Sequence, residues 1–200
     1  MRTKDSSADA LVERFVASFG KLNRMSENTQ IYPIAPELTV GEADEFGQTK
    51  WKPLHCATDA SLLGPLYAKL PTKFPKLYER LILSYRWAEI DLETFRLLAN
   101  PPGPDLRGLL QEMLKDQFLS SVLLKNGFVR FGKGPDMDYD PVCFDISSRT
   151  KNGDRRIVKL DHEEILCNSR IRIVREMAES FERLMQDTIA QGDRRTQSGS

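Results

Sequence analysis

The sequence predicts an α+β fold in which helices flank a small, mainly antiparallel sheet. Up to Asn126, apolar residues recur mostly at helical spacing; after Gly127 they alternate as in strands, and helical spacing returns near the C-terminus. Successive strands between helices favour an antiparallel meander. With 200 residues, of which 40% are hydrophobic, the chain is long enough to bury the core of one domain.

The N-terminal segment predicts one amphipathic helix and little other regular structure. Residues 8–20 place Phe15 and Phe19 four positions apart on one apolar face. Frequent prolines and glycines follow, and they interrupt regular elements. We expect only turns and short edge strands there, near 30–34 and 47–54.

Two stronger helical patterns come before the sheet. The first begins after Thr72, which is expected to cap it, has Pro75 in its first turn and runs to about Trp87. It has an apolar stripe on one side and charged residues facing solvent on the other. The stripe contains Leu77, Leu81 and Tyr85, and the charged side contains Lys76, Glu79, Arg80 and Arg86. The second begins after Asp105, which is expected to cap it, and ends at Asn126-Gly127.

Three strands and a closing helix complete the expected elements. The strands are predicted at 128–131, 141–146 and 155–160, with Asn152-Gly153 as the tight hairpin turn between the last two. The final helix is predicted over 169–190, with Ile173, Met177 and Phe181 among its inward-facing residues.

These patterns divide the chain into three expected segments. Residues 1–57 form an N-terminal extension with a short helix and loops, and residues 58–190 form the α+β domain. Residues 191–200 have no apolar face to bury, so we expect a disordered tail.

Charge and composition narrow the class of partner. Lys plus Arg and Asp plus Glu are balanced at 29 each, whereas nucleic-acid binding usually leaves a basic footprint. We therefore expect no nucleic acid as the main partner. The N-terminus lacks the apolar core of a signal peptide, and no apolar run approaches the length of a membrane span, so a cytoplasmic protein is expected. The widely spaced cysteines predict buried thiols: Cys56, Cys143 and Cys167.

The acidic segment 136–140 is the most distinctive polar motif. Asp136, Asp138 and Asp140 alternate in a way that resembles the opening of a calcium loop. Such a loop needs glycine at its sixth position and glutamate at its twelfth, where this chain has Pro141 and Ser147. We predict no metal site, and a solvated acidic loop that contacts a basic partner.

No catalytic motif emerges from the remaining residues. His162 lies among carboxylates, but position 166 is a leucine, so the two-histidine helical zinc motif is absent. We expect His162 to orient a turn between a strand and a helix. The Gly132-Lys133-Gly134 segment does not lead into a helix that would hold phosphate, and we interpret its glycines as turn residues. We therefore expect no cofactor and no enzymatic activity.

Four segments occur in a recognisable order between residues 60 and 186. They are Leu70-Pro71 at a helix entry, Tyr139-Asp140-Pro141-Val142-Cys143-Phe144-Asp145 in a strand, Ile157-Val158-Lys159-Leu160-Asp161-His162-Glu163 at a strand end, and Ala178-Glu179-Ser180-Phe181-Glu182-Arg183-Leu184 in the last helix. In this order they resemble the SUKH superfamily of bacterial immunity proteins and related eukaryotic regulatory proteins. The resemblance implies a SUKH-like helix-flanked sheet that binds protein partners, often toxins, and no shared catalytic residues.

The leading hypothesis is therefore an immunity-type protein that binds and neutralises a cationic toxin domain. Its expected contacts are Asp136, Asp138, Tyr139 and Asp140. A regulatory or scaffold domain that docks through residues 1–57 is the alternative. A metal-assisted hydrolase centred on Asp138, Asp140 and His162 is a third hypothesis.

Overall fold

The computed structural model describes residues 3–22, 26–28, 34–148 and 153–198. The helices in these ranges are α1 (Thr3–Leu22), α2 (Leu63–Tyr67), α3 (Lys76–Ser84), α4 (Arg107–Leu114), α5 (Gln117–Lys125), α6 (His162–Asn168) and α7 (Phe181–Ser198). Short 3-10 turns lie at Pro36–Leu38 and Ala60–Leu62. The predicted α+β class is confirmed.

The strands form a six-stranded antiparallel sheet and two small sheets. The strands are β1 (Ser26–Asn28), β2 (Thr39–Val40), β3 (Gln48–Trp51), β4 (Leu54–His55), β5 (Tyr85–Arg86), β6 (Ile90–Asp91), β7 (Arg96–Leu97), β8 (Phe128–Lys133), β9 (Pro141–Asp145), β10 (Ile157–Leu160) and β11 (Ile173–Ala178). The main sheet has the order β11-β10-β9-β8-β7-β6, and the small sheets have the orders β1-β3-β2 and β4-β5. The predicted meander of three strands is confirmed as β8, β9 and β10.

The main core lies on one face of the six-stranded sheet. Phe131 and Phe144 stack with ring centroids 4.3 Å apart, and Phe181 of α7 and Tyr78 of α3 pack against Phe144 at 5.7 and 5.2 Å. Phe15 of α1 contacts Phe181 at 6.3 Å between ring centroids. Helix α1, which belongs to the predicted N-terminal extension, therefore packs into the same core as the sheet.

A second buried cluster covers the opposite face. Because side chains alternate along a strand, the neighbours of the first set point the other way. Phe128, Cys143 and Val158 pack with Leu123 of α5 and Ile165 of α6. Both faces of the sheet are thus covered, and its polar or exposed features lie at its ends and edges.

The prediction of a single helix over 169–190 is wrong for the first half of that range. Residues 162–168 form α6, where the Asp161 carboxylate accepts a hydrogen bond from the backbone N–H of Glu164 at 2.9 Å. A left-handed Ser169, with φ of 52°, ends that helix. Residues 173–178 then form β11, because the β-branched Ile173 and Val174 suit a strand and β10 offers an edge for pairing. The expected inward position of Ile173 is also wrong, since that side chain is exposed.

Three other helices differ from their predicted boundaries. The helix expected up to Asn126-Gly127 is two helices, because Asp116 starts α5 by accepting a hydrogen bond from the N–H of Leu119. Helix α3 begins at Lys76 and not directly after Thr72. It ends at Ser84 and not Trp87, and residues 85–86 pair with β4. The tail predicted to be disordered over 191–200 is helical as far as Ser198, and the Asp193 carboxylate pairs there with Lys21 at 2.7 Å.

Several smaller expectations have mixed outcomes. A short strand near 47–54 is confirmed by β3, but β3 is the central strand of its sheet and not an edge strand. Gln30–Pro33 and the Lys151-Asn152 part of the predicted hairpin turn lie outside the described residues. The cysteines are not uniformly buried. Cys143 is buried, but Cys56 is half-buried and Cys167 is exposed.

Candidate functional site

The predicted site residues lie at one end of the six-stranded sheet. The loop 134–140 connects β8 to β9, and the antiparallel order brings the end of β10, the start of α6 and the start of β11 to the same end. Neighbouring strands in a sheet are about 5 Å apart. The end of the loop at β9 is therefore about 10 Å from β11, with β10 between them. The sequence did not predict this proximity, because it placed residues 173–178 in a helix.

The carboxylate of Asp138 is held inside the loop by a lysine. Lys159 Nζ on β10 donates a hydrogen bond to Asp138 Oδ2 at 2.7 Å, and Asp138 Oδ1 accepts from the N–H of Asp140 at 2.9 Å. A side chain at position 134 would overlap this carboxylate, so Gly134 is required for space. The interpretation as a turn residue holds for Gly134, which begins the loop, but it is wrong for Gly132: this glycine lies within β8, where a Cβ would approach the carbonyl of Arg96 at 2.9 Å.

The carboxylate of Asp140 bridges the loop to α6. Its Oδ1 accepts a hydrogen bond from the backbone N–H of His162 at 3.0 Å and lies 2.9 Å from His162 Nδ1. Burial alone would raise the pKa of Asp140, but the two contacts with His162 and the nearby Lys159 hold it below the ordinary aspartate value. His162 thus anchors the loop to the start of the helix, as its expected role in a turn implies.

The exposed part of the loop is apolar and aromatic. Met137 is 76% exposed and Tyr139 is 53% exposed, and the Tyr139 ring lies 6.1 Å from the His162 ring between centroids. Asp136 is also exposed, and its backbone N–H donates to Asp91 Oδ2 at 3.0 Å. Of the four predicted contact residues, Tyr139 and Asp136 face solvent, whereas Asp138 and Asp140 are half-buried and paired.

Strand β11 forms the outer edge of the sheet next to this loop. Ile173 and Val174 are both about half exposed, at 45% and 48%. Arg172, just before the strand, pairs with the Asp161 carboxylate that caps α6. We define the hairpin-end surface as Met137, Tyr139, His162 and Ile173; Val174, the next residue of the strand, points to the opposite face of the sheet. Its outer strand offers backbone groups as well as side chains.

The geometry disfavours a hydrolytic metal centre at these residues. Lys159 Nζ lies 2.7 Å from Asp138 and 3.6 Å from Asp140, so an ammonium group already occupies the place that a cation bound by both carboxylates would take. Within the described ranges, no group of three or more His, Cys, Asp or Glu side chains is arranged to hold a metal ion.

No protein-family model matches the chain, and a search of the curated proteins finds no match. Within the described part of the chain, no helix has both the length and the apolar character needed to cross a membrane. The fold and the site define an α+β protein with an exposed, charge-compensated surface at one end of its sheet.

Proposed function

We propose that this chain is a non-catalytic protein-binding domain, of the immunity type, that contacts its partner through the hairpin-end surface. The observation that carries the proposal is that the loop bearing Met137 and Tyr139 lies at the same end of the sheet as the start of the outer strand β11. In that loop Asp138 and Asp140 are compensated by Lys159 and His162.

The composition of the surface fits a protein partner. Tyrosine, methionine and arginine are enriched in protein interfaces, and their central parts are poor in unpaired charge. The internal pairing of Asp138 and Asp140 leaves Met137, Tyr139 and Ile173 as the exposed apolar and aromatic side chains of the surface. Among the described strands none pairs with the outer side of β11, so an extended segment of the partner can pair with it.

The toxin as partner is supported by the SUKH resemblance of the sequence. The geometry changes which residues would contact a cationic toxin surface. Asp136 has an exposed side chain, whereas Asp138 and Asp140 would first have to leave Lys159 and His162. Tyr139 is therefore proposed as the main contact, and Asp136 as the acidic one.

The test uses the purified chain and the product of the neighbouring gene as the candidate toxin. Tyr139→Ala combined with Met137→Ala should weaken binding at least about tenfold, measured by calorimetry. Phe118→Ala is the matched control, because Phe118 is a half-exposed aromatic residue on α5. No binding by the unsubstituted chain would reject the immunity role. Equal losses in both variants would reject the hairpin-end surface.

One observation favours the alternative, a regulatory or scaffold domain that docks through residues 1–57. Phe46 is 71% exposed at the turn that leads into β3. Truncation at Ala57 would remove α1 from the core, so it would test folding as well as docking. Phe46→Ala is the cleaner test: loss of partner binding in Phe46→Ala, with binding retained in Tyr139→Ala, would favour docking through residues 1–57.

A further inference from the structure

Strand β11 is exposed on both faces, unlike the strand beside it. Ile157 and Val158 of its neighbour β10 are fully buried, whereas Ile173 and Val174 of β11 are about half exposed. Residues 172–176 are all exposed, and successive residues of a strand point to opposite faces. The helices that cover the sheet therefore do not extend over this outermost strand.

Three exposed arginines lie along this edge and just before it: Arg170, Arg172 and Arg175. The stretch 170–176 contains one acidic residue, Glu176, which pairs with Arg156 of β10's N-terminal end at 3.3 Å. Arg172 pairs with the Asp161 carboxylate. Within the described ranges, the side chains of Arg170 and Arg175 form no ion pair. The edge therefore carries uncompensated positive charge.

Arg175 lies beside a second cation. It is paired with Lys159 of β10 in the register of the sheet, and directly paired residues share a face. The Lys159 ammonium is held by Asp138 at 2.7 Å and by Asp140 at 3.6 Å, so its counter-ions belong to the loop. Like charges that lie opposite each other destabilise a sheet. A carboxylate placed at the outer side of β11 would relieve this repulsion.

The two faces of the edge differ in character. Arg175 is paired with Lys159 and Ile173 with Leu160. Because Lys159 and Leu160 are successive residues of β10, they point to opposite faces. Arg175 therefore presents a cation on one face, and Ile173 presents an apolar side chain on the other. A segment that alternates acidic and apolar residues matches both faces.

Charged residues and bulges on an edge strand commonly prevent two sheets from joining edge to edge. Strand β11 has both, since its register with β10 shifts twice. This protection acts against a second copy of the same edge, because the arginines of two copies repel each other. It does not act against a short segment of opposite charge.

We propose that the outer edge of β11 docks a short, extended, acidic segment of a protein partner. Its carboxylates contact Arg175 and Arg170, and its apolar side chains contact Ile173. The proposal rests on the proposed function and deepens it, because it assigns the chemistry of the partner segment that pairs with β11. The partner then has a basic surface at Asp136 and an acidic segment at β11, and these opposite signs fix its orientation.

The test titrates a capped heptapeptide of alternating Glu and Val into the full chain and follows backbone amide resonances. The same peptide with Gln in place of Glu, and with Lys in place of Glu, are the control ligands. The Glu peptide should give saturable shifts at Ile173, Val174 and Arg175, and it should bind at least about tenfold more tightly than the Gln peptide. Absence of saturable shifts, or equal binding of the Gln peptide, would overturn the proposal.

Two further titrations address other occupants of the edge. Tighter binding of a single-stranded oligothymidine than of the Glu peptide, with shifts at the same amides, would overturn the proposal in favour of nucleic acid. Shifts of these amides that depend on protein concentration alone would overturn it in favour of a second copy of the chain.

Charge reversal locates the site. Arg170→Glu combined with Arg175→Glu should reverse the preference, so that the Lys peptide binds at least about tenfold more tightly than the Glu peptide. Arg14→Glu, at an exposed position on α1, is the matched control and should keep the preference for the Glu peptide. An unchanged preference in the double variant would place the peptide elsewhere and reject the edge.

The peptide titration contains no toxin, so it is independent of the immunity role. Saturable binding of the Glu peptide without any toxin binding would support the edge and reject the immunity role alone. A toxin that binds the double variant as tightly as it binds the unsubstituted chain would reject the edge as its docking site.

Discussion

The ammonium group of Lys159 lies 2.7 Å from the carboxylate of Asp138, joining two residues that are 21 positions apart in the sequence. This ion pair fixes the β8–β9 loop against β10. It also explains why an acidic sequence motif does not produce an acidic surface: two of its three carboxylates, those of Asp138 and Asp140, are paired within the protein.

The contribution of this pair is measurable with a double-mutant cycle. The side chains of Asp138 and Lys159 are 31% and 18% exposed, so solvent screens their attraction only in part. Asp138→Ala, Lys159→Ala and the double variant should give a coupling free energy of about 1 kcal/mol in urea unfolding. Additive effects would show that the pair contributes nothing to stability. Asp138→Lys is less informative, because it sets two ammonium groups against each other.

Asp145 should be the most sensitive carboxylate in the sheet. Its buried side chain accepts hydrogen bonds from the N–H and Oγ of Ser147 and from Arg156 Nη2 at 2.6 Å. Asp145→Ala should cost about 3 kcal/mol of unfolding free energy, because it leaves these donors without an acceptor. Glu42→Ala, at an exposed position, is the control and should change stability by less than about 0.5 kcal/mol.

Acid should destabilise the protein partly through Asp140 and Asp145. Burial alone would raise both pKa values, but hydrogen bonds from His162 to Asp140, and from Ser147 and Arg156 to Asp145, hold them below the ordinary value. A pKa that is lower in the folded state stabilises the protein above the unfolded value, about 3.9 for aspartate. This contribution is therefore complete above about pH 5 and is lost as the pH falls through the lower folded values.

The measurement is the free energy of unfolding between about pH 6 and about pH 2.5. Asp140→Asn should make the decline below about pH 4 shallower than in the unsubstituted chain, because one group that takes up a proton on unfolding is gone. Asp44→Asn, at an exposed carboxylate in the connection between β2 and β3, serves as the comparison. A steeper decline in Asp140→Asn would contradict the lowered pKa.

The sequence predicted best those elements whose pattern and pairing are local. Strands β8, β9 and β10 follow one another and are rich in β-branched and aromatic residues, so their order followed from the chain itself. The prediction for residues 173–178 was wrong because Ile173, Met177 and Phe181 are also spaced as in a helix. Pairing with the edge of β10 decided the outcome, and that edge is visible only in the assembled sheet.

The candidate site was predicted only in part, because its contacts join residues that are distant in the sequence. The motif 136–140 was found, and it lies in a loop at the end of the sheet. Its partners Lys159 and His162 belong to another strand and helix, so the pairing of Asp138 and Asp140 could not be inferred from spacing. One local signal was available: Asp161 followed three residues later by Glu164 resembles a capping box and could have placed the start of α6.

Two tyrosines near the core provide a matched test of buried hydroxyl groups. The hydroxyl of Tyr78 is fully buried and has no hydrogen-bond partner among the described residues. The hydroxyl of Tyr67 donates to Glu79 Oε1 at 2.7 Å and accepts from the N–H of Phe74 at 3.1 Å. Both rings pack against Phe74, so the two sites differ mainly in their hydrogen bonds.

Tyr78→Phe should leave stability unchanged or raise it by about 1 kcal/mol, because it removes a polar group whose burial is uncompensated. Tyr67→Phe should lower stability by about 2 kcal/mol, because Glu79 and the Phe74 N–H each lose a partner within a partly buried site. Urea unfolding of both variants, with the slope m checked for constancy, measures the difference. A larger loss in Tyr78→Phe than in Tyr67→Phe would show that the Tyr78 hydroxyl has a stabilising partner after all.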